Sequence, residues 1–345
     1  MRRSIVVLIG LLVCCLQVMS QECSTQCGVS NEVIATHPRP TIPMLLADDT
    51  LNLQRWWKVS DAVNVLDNPN GQIVTDHPQG DFFATVQTIE NGWAQINDNE
   101  WIPASSLQAS SPSSLGGLML GENYNPPFPI AWLRTTVLPS RTPAAPIVKG
   151  TASVIQYQMV YVYADVEVDG VTWTQVGQDQ WVDSRFLARV NPTQRPSAIK
   201  SKRWLGVDLN QQVLIAYEGA TPVFASLMST GIRATPTMPG IYYPYVRHRY
   251  DDMSMVDDSP FYYFMEDVPY VWYFNGNNAL HGAYWHDKFG YRRSHGCINL
   301  PLTSAAWVYR FMSETLDWNT LPVQFPAIFV YGNNDWAVPM PPEFE

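Results

Sequence analysis

The stretch from His281 to Asn299, HGAYWHDKFGYRRSHGCIN, carries the residues best suited to chemistry. It contains three of the six histidines and one of the five cysteines of the chain. A cysteine attacks as its thiolate, so it needs a base within hydrogen-bond reach and dipoles that stabilise the developing charge. Cys297 has histidines close by as candidate bases. Gly296, which has no Cβ, allows a sharp turn that brings backbone N–H groups close to a reacting carbonyl oxygen.

The paired motif in this stretch resembles a family signature. SHGCIN, from Ser294 to Asn299, follows an HG at His281 and Gly282. This combination is similar to the signature of the L,D-transpeptidases, which carry a YkuD-type catalytic domain. The resemblance implies an enzyme that cross-links bacterial peptidoglycan stem peptides through a cysteine acyl-enzyme, with Cys297 as the nucleophile. It also implies inhibition by carbapenem β-lactams, which should acylate the same thiol.

The choice of general base rests on the resemblance. It assigns this role to His281, with the imidazole ring held by the backbone carbonyl of Gly282. Spacing alone leaves His295 open as the base, because residues two apart on a strand, such as His295 and Cys297, point to one side without their side chains necessarily meeting.

Further residues of the stretch are expected to orient the turn or to contact the substrate. Ser294 is expected to orient the turn through its hydroxyl, and the amides of Gly296 and Cys297 to stabilise the oxyanion. The residues expected to line the acyl site, shape the donor groove or meet a stem carboxylate are His295, Gly296, Asn299, Tyr284, Trp285, Tyr291, Arg292 and Arg293.

A zinc site is the main alternative for the same residues, since His281, His286, His295 and Cys297 are ligands of the right type. The stretch has neither a CxxC pair nor a helical HExxH, which makes a metal site the weaker interpretation. We therefore expect no metal and no organic cofactor. His286 is expected to be an exposed loop residue.

The N-terminal residues 1–20 have the pattern of a secretory signal. Arg2 and Arg3 form a charged start, and the apolar run that follows is too short for a comfortable membrane span of roughly 20 residues. We expect export to the periplasm or cell wall and no stable membrane span in the mature protein.

Export would change the cysteine count of the mature chain. Cys23 and Cys27 lie four positions apart and are predicted to form a disulfide in an oxidising compartment. Cys297 would then remain free, as a nucleophile requires.

The composition is that of a folded protein with two or three domains. The chain has 345 residues, of which 46% are hydrophobic and 15% are charged. The formal net charge of −10 argues against nucleic acid as a partner.

An imperfect repeat precedes the motif. The segment from Gly92 to Leu107 aligns with that from Val171 to Leu187 at a constant offset of 80 positions. Short alternating runs and frequent turn residues, such as those from Asn68 to Gly71, predict two small β-barrels. The tryptophans that the repeat matches, and which we expect mainly to be core residues, are Trp93, Trp101, Trp173 and Trp181.

These repeats resemble bacterial SH3-type domains, which would attach the enzyme to the wall or act as spacers. The predicted fold is mainly β: two small SH3-like β-barrels followed by a YkuD-type β-sandwich catalytic domain with one or two helices. The predicted segments are the signal peptide 1–20, an N-terminal segment 21–55, SH3-like domain 1 at 56–110, a linker 111–128, SH3-like domain 2 at 129–190, the catalytic domain 201–332 and a tail 333–345.

Within the last domain, the pattern predicts local structure. Alternating residues on either side of Asn210–Gln212 predict a hairpin, the spacing after Leu302 predicts a helix, and the charged segment from Arg247 to Ser259 is interpreted as a loop over the site, with His248 at the surface. Two other functions remain open for the chain: an L,D-carboxypeptidase that resolves the thioester with water, and a wall-binding protein without activity.

Overall fold

The computed structural model describes residues 28–45, 56–60, 62–77, 80–122, 124–255, 263–317 and 319–333. The predicted signal peptide and the predicted Cys23–Cys27 disulfide lie outside these residues. Within the described residues, no helix is long and apolar enough to cross a membrane.

The first repeat unit follows a short helix and consists of eight strands. Three of its strands are neighbours in one sheet, in the order β4-β1-β8. The other five form a separate sheet in the order β3-β2-β7-β6-β5. The elements are α1 (Asn31–Thr36), β1 (Trp56–Val59), β2 (Val63–Leu66), β3 (Ile73–His77), β4 (Asp81–Thr85), β5 (Thr88–Glu90), β6 (Trp93–Asn97), β7 (Glu100–Pro103) and β8 (Leu107–Ala109).

The second repeat unit has the same local order at the predicted offset. The 3-10 turns at Ala104–Ser106 and Ser184–Phe186 follow matching strands in the two units, which confirms the internal repeat. Its resemblance to SH3-type domains stays a prediction. The strands are β9 (Leu118–Met119), β10 (Ile130–Leu133), β11 (Met159–Tyr161), β12 (Ala164–Val168), β13 (Val171–Gly177), β14 (Gln180–Asp183) and β15 (Leu187–Arg189), of which β9 precedes the second unit.

The core of each unit is mainly aliphatic, with Phe82 as an aromatic member in the first unit, and this corrects the expectation for the matched tryptophans. Trp181 is buried, but Trp93, Trp101 and Trp173 are half-buried. Small and branched residues can fill the tight interior of such a unit, which leaves the large indoles at its margin. The buried core of the first unit includes Val59, Val63, Val65, Ala94, Ile96 and Ile102, and that of the second includes Val154, Val160, Val176, Val182 and Leu187.

The C-terminal region is built from the remaining strands and a longer helix. Its hairpin at Asn210–Gln212 and its helix after Pro301 are as predicted. The elements are β16 (Arg203–Asp208), β17 (Val213–Glu218), β18 (Thr221–Leu227), β19 (Gly240–Tyr242), β20 (Val246–Met255), β21 (Tyr263–Asn275), β22 (Asn278–Gly282), β23 (Ile298–Leu300), α2 (Leu302–Ser313) and β24 (Ala327–Tyr331).

Two sheets face each other here and form a β-sandwich. One has the order β19-β24-β16-β17-β18-β9, and the other has the order β23-β22-β21-β4-β1-β8 with β20 also paired to β21. Leu205 and Leu214 of the first sheet share one buried cluster with Trp272 and Leu280 of the second and with Val308 of α2. The fold is mainly β, as predicted.

The segment interpreted as a loop is a strand. β20 runs antiparallel to β21, and most of its residues are exposed or half-buried. Charged side chains are common on strands at a sheet edge because they discourage pairing with other chains. His248 is exposed, as predicted. Residues 256–262 lie outside the described residues.

The segment interpreted as a linker is partly built into the sandwich. Leu118 is fully buried, and β9 pairs antiparallel with β18 at Phe224 and Ala225. A Cβ on Gly117 would lie 2.1 Å from Cζ of Phe224, so the glycine permits this close approach. Glycine and serine here serve close packing rather than chain flexibility.

Both repeat units dock on the catalytic region. β4 of the first unit pairs in parallel with β21, which joins the first unit to the second sheet. From the second unit, the buried Arg134 donates to the carbonyl oxygen of Gly290 and, at 3.1 Å, to that of Asn210. The predicted domain boundaries therefore separate segments that share sheets and cores.

Candidate active site

Two adjacent parallel strands bring the candidate nucleophile and base to one cavity. His281 of β22 lies opposite Asn299 of β23 in the strand register. Residues opposite each other in a sheet share a face. Cys297 comes immediately before β23 and lines the same cavity as His281.

The cavity, of about 240 Å³, covers this face. It brings together most of the predicted site residues with side chains from the first repeat unit, β20 and β21. The lining residues are Asp81, Ile232, Met253, Tyr263, Met265, His281, Trp285, Arg293, Ser294, His295, Cys297 and Asn299.

His281 is a neutral imidazole in a fixed orientation. Its side chain is buried, with Nδ1 lying 3.1 Å from the carbonyl oxygen of Gly282. Because a carbonyl can only accept, Nδ1 carries the proton and Nε2 keeps its lone pair. Burial lowers the pKa of His281 to about 4, against the opposing effect of the Gly282 carbonyl. The ring is therefore neutral at neutral pH, and its Nε2 can accept a proton.

Cys297 is a protonated thiol in the resting site. Its Sγ accepts a hydrogen bond from the N–H of Ala279 at 3.4 Å and lies 4.0 Å from the carbonyl oxygen of Asn277. Burial raises the pKa of the thiol to about 11, and the Ala279 N–H opposes this shift. Ionisation of the thiol therefore needs a base in the site.

The turn before Cys297 is closed by Ser294. The Ser294 hydroxyl donates to the Cys297 carbonyl oxygen at 2.5 Å and accepts from the Gly296 N–H at 3.2 Å. Gly296 has a φ of +119°, and a Cβ there would lie 2.6 Å from Oδ1 of Asn278. Only glycine fits this backbone without strain.

This geometry corrects one expectation for the oxyanion donors. The Gly296 N–H is directed at the Ser294 hydroxyl inside the turn, so it is not available for a substrate oxygen. The Cys297 amide remains the expected donor of the pair.

Two upstream segments hold the same turn from outside. The carbonyl of Thr230 accepts from the amides of Arg293 at 2.8 Å and Ser294 at 3.0 Å. The hydroxyl of Thr237 donates to the Gly296 carbonyl at 2.9 Å and accepts from the Gly231 N–H at 2.9 Å. Thr230 and Thr237 therefore hold the turn in position through hydrogen bonds to its backbone.

Comparison with protein-family models assigns the C-terminal region. Residues 202–324 match the model described as YkuD, the L,D-transpeptidase catalytic domain. Residues 202–324 are an L,D-transpeptidase catalytic domain. No curated protein shows a significant sequence match to the chain.

Solved structures similar to the chain include several L,D-transpeptidases. The enzyme from Mycobacterium smegmatis is 18% identical, with 48% of this chain and 69% of that chain covered and a TM-score of 0.33. L,D-transpeptidase 3 from Mycobacterium tuberculosis, in complex with a faropenem-derived adduct, is 17% identical, with coverage of 52% and 76% and a TM-score of 0.33. The enzyme from Xylanimonas cellulosilytica DSM 15894 is 25% identical, with coverage of 41% and 65% and a TM-score of 0.30.

The two candidate arginines of the L,D-transpeptidase domain differ in position. Arg293 lines the cavity. The guanidinium of Arg292 instead donates to the carbonyl oxygens of Leu209 at 3.0 Å and Asn333 at 3.4 Å, which holds it away from the cavity. Arg292 is therefore not placed to meet a stem carboxylate, because consecutive residues of the chain point to different sides.

The three aromatic residues expected to shape the donor groove also differ in position. Trp285 lines the cavity, and its ring centroid lies 5.6 Å from that of His281. Tyr284 is fully buried on the other side, where its hydroxyl donates to the Glu266 carbonyl at 2.6 Å. Tyr291 is buried against Arg134. Tyr284 and Tyr291 are core residues rather than groove walls, since alternate positions face opposite sides of the chain.

His286 is buried, which corrects the expectation of an exposed loop residue. Its ring packs 4.7 Å from that of Phe289, and its Nε2 lies 3.2 Å from Nδ2 of Asn299. Polar contacts at both ring nitrogens, to the Lys288 N–H and to Asn299, compensate for removal of the imidazole from water. Among the described residues, no group of three His, Cys, Asp or Glu side chains could hold a metal ion, so the zinc alternative lacks a ligand set there.

The sequence did not point to several residues of the cavity wall. Asp81 comes from the first repeat unit, and the Tyr263 ring stacks on His295 with 5.0 Å between centroids. Burial lowers the pKa of His295, and the charge of Asp81 opposes this shift. The pairing of β4 with β21 places these side chains together, and no local pattern signals such pairing.

Proposed function

We propose that the chain is an exported peptidoglycan L,D-transpeptidase that forms cross-links through a thioester at Cys297. The observation that supports this most directly is that His281 and Cys297 line the same cavity, together with the free lone pair on His281 Nε2. A neutral base beside a neutral thiol suits a nucleophile that ionises only when a substrate is attacked.

The first half-reaction forms the thioester. His281 Nε2 takes the proton from Cys297 as Sγ attacks the carbonyl carbon of the third residue of a donor stem tetrapeptide. Negative charge develops on the carbonyl oxygen, where fixed backbone donors such as the Cys297 amide stabilise it. The C–N bond to the terminal D-alanine then breaks, and its amine takes the proton from His281.

The second half-reaction transfers the acyl group. An amine of another stem attacks the thioester carbonyl, and His281 takes a proton from that amine. The C–S bond breaks, and the Cys297 thiolate leaves and takes that proton from His281. Arg293, which lines the cavity, is the side chain that we propose meets a stem carboxylate. The reaction requires no metal and no organic cofactor.

Intact-protein mass spectrometry with a carbapenem tests the nucleophile. We expect a single covalent adduct on the protein, mapped to Cys297, and none on Cys297→Ser, because the serine hydroxyl is far harder to ionise. An adduct on the serine variant, or none on the native protein, contradicts the proposal.

The fate of the thioester needs a second measurement. Incubation with a stem tetrapeptide and an amine acceptor should give the cross-linked dimer. Release of tripeptide alone would make the chain an L,D-carboxypeptidase, and no product of either kind would favour a wall-binding protein without activity.

A further inference from the structure

Asn299 and His286 form a buried polar pair at the edge of the cavity. Asn299 is 3% exposed and His286 is 6% exposed, and 3.2 Å separates Asn299 Nδ2 from His286 Nε2. Asn299 lines the cavity, whereas His286 stands behind it. The hydrogen-bonding roles of these two side chains can be derived from their other contacts.

The contact to Lys288 fixes the tautomer of His286. The backbone N–H of Lys288 donates to Nδ1 of His286 at 3.2 Å, so Nδ1 carries a lone pair. Burial, together with the charges of Arg293 and Lys288, holds the pKa of His286 well below its ordinary value. The ring is therefore neutral, and its proton is on Nε2.

This tautomer conflicts with the amide orientation of Asn299. An Nε2–H group facing an NH2 group places two donors against each other. At the same time, Asn299 Oδ1 is buried and has no hydrogen-bond partner among the described residues. The oxygen and nitrogen of a carboxamide have nearly the same shape, and their assignment must follow from the hydrogen-bond network.

Turning the carboxamide by 180° resolves both problems. Oδ1 then accepts from His286 Nε2–H, and the NH2 group takes the position in which Oδ1 had no partner. The NH2 group then points away from His286, and Asn299 as a whole lines the cavity. A buried donor in this position needs an acceptor.

We infer that His286 is a positioning residue, whose Nε2–H holds the Asn299 carboxamide so that its NH2 group donates a hydrogen bond to the acyl donor. The inference rests on the proposed function and extends it. The Gly296 N–H is engaged by Ser294, so the reacting carbonyl oxygen needs a donor besides the Cys297 amide. Asn299 and Cys297 line the same cavity.

Three substitutions at position 286 separate this role from simple packing. Glutamine places an NH2 group near the position of Nε2 and should keep the hydrogen bond to Asn299. Asparagine places an acceptor near the position of Nδ1, so it keeps the contact to Lys288 but loses that to Asn299. Leucine loses both contacts at similar volume.

The measured quantity is the rate of acylation by a carbapenem, which mass spectrometry monitors. The samples of all variants are adjusted to contain the same fraction of folded protein. We expect His286→Gln to stay within about threefold of the native rate, and His286→Asn and His286→Leu to fall by about tenfold or more. Loss of one oxyanion donor costs about 10²–10³ in rate, which sets the expected loss for Asn299→Ala. The inverse order, with asparagine active and glutamine slow, overturns the inference.

A double substitution tests whether the effect passes through Asn299. The combined variant His286→Leu with Asn299→Ala should be no slower than Asn299→Ala alone, because residues that act as a unit are not additive. Additive losses would mean that His286 acts independently of Asn299, which overturns the inference.

NMR of the native protein gives a result that does not depend on activity. Long-range ¹H–¹⁵N correlations on uniformly labelled protein at neutral pH should show His286 in the Nε2-protonated tautomer. The Nδ1-protonated tautomer would overturn the inference even if acylation proceeds. Absence of acylation in the native protein, with the expected tautomer present, would instead reject the proposed function.

Discussion

Asp81 and Tyr263 lie opposite each other where β4 of the first repeat unit pairs in parallel with β21 of the catalytic domain. Both side chains line the cavity that holds Cys297. The first unit thus supplies one wall of the candidate active site and shares a sheet with it. A role as a freely tethered binding module does not fit this arrangement, because removal of the unit would open both the sheet and the cavity.

The contact between Trp56 and Tyr284 should make the stability of the two regions interdependent. Trp56 is 3% exposed and stacks on Tyr284 with 4.6 Å between ring centroids and 9° between planes. Loss of a buried tryptophan costs about 3–5 kcal/mol. We expect Trp56→Ala to lower the Tm of the whole protein and to reduce the fraction that a carbapenem can acylate.

Val74→Ala is the matched control, because Val74 belongs to the same unit but is 51% exposed. It should leave both quantities nearly unchanged. Unfolding of the first unit in Trp56→Ala, with full acylation retained, would show that the two regions are separate modules.

Local patterns predicted the local structure well. The hairpin at Asn210–Gln212, the helix from Leu302 and the internal repeat all depend on residues close in sequence, and all are present. The signature predicts that His281 and Cys297 belong to one site, and both residues line the same cavity.

Long-range pairing was beyond the reach of these patterns. Asp81 enters the cavity only because two strands far apart in sequence pair, and the energy of that pairing comes from side-chain packing that a single strand does not encode. For the same reason Leu118 in a glycine-rich stretch was assigned to a linker, and the charged edge strand Val246–Met255 to a loop. His286 was misplaced because burial of an imidazole depends on its neighbours in space.

The charge of Asp81 should have a measurable effect on the pKa of His295. Burial lowers the pKa of His295, and Asp81 opposes that effect, so Asp81→Asn should lower the pKa further. An NMR titration of the His295 ring measures this directly. Asp76→Asn, on an exposed position of the neighbouring strand, should leave the His295 titration unchanged. A raised or unaltered pKa in Asp81→Asn would mean that the carboxylate lies too far away to act on this ring.

Glu266 should make stability fall with rising pH. Burial, reinforced by Asp252 and Asp267, raises the pKa of Glu266 from 4.5 to about 8, although the Thr85 N–H donates to its Oε2 at 2.8 Å. At a pH between these two pKa values, the carboxyl of Glu266 is protonated in the folded state and ionised in the unfolded chain. The free energy of unfolding from this group therefore decreases as pH rises through the window, by at most about 1.4 kcal/mol per pH unit.

Glu266→Gln should remove that slope, because glutamine stays neutral. We expect urea unfolding to show the variant gaining stability relative to the native protein at pH 8.5 compared with pH 5. Glu90→Gln, at an exposed position of the first unit, is the control and should follow the native curve. If the free energy of unfolding depends on pH in the same way in Glu266→Gln and the native protein, the carboxyl of Glu266 is ionised over the whole pH range, which contradicts the prediction.

The neutral pair of His281 and Cys297 predicts two different pH profiles. Alkylation by iodoacetamide needs the thiolate, and the thiol pKa is about 11, so the rate should rise steadily from pH 7 to pH 10 without a plateau near 9. Acylation by a carbapenem uses His281 as the base. Its pKa is about 4, so the lone pair on Nε2 persists well below neutral pH, and acylation should be lost only as the pH falls towards 4.

The two profiles together distinguish a neutral pair from an ion pair. A resting thiolate beside a protonated imidazole would be alkylated rapidly at pH 6, and its alkylation and acylation would fall together at lower pH, where the thiolate is protonated. In His281→Ala the alkylation profile should keep its slope, because burial sets the thiol pKa, while acylation should fall by about 10²-fold or more. If His295→Ala shows that loss and His281→Ala does not, His295 is the base, and the fixed tautomer of His281 serves only to shape the site.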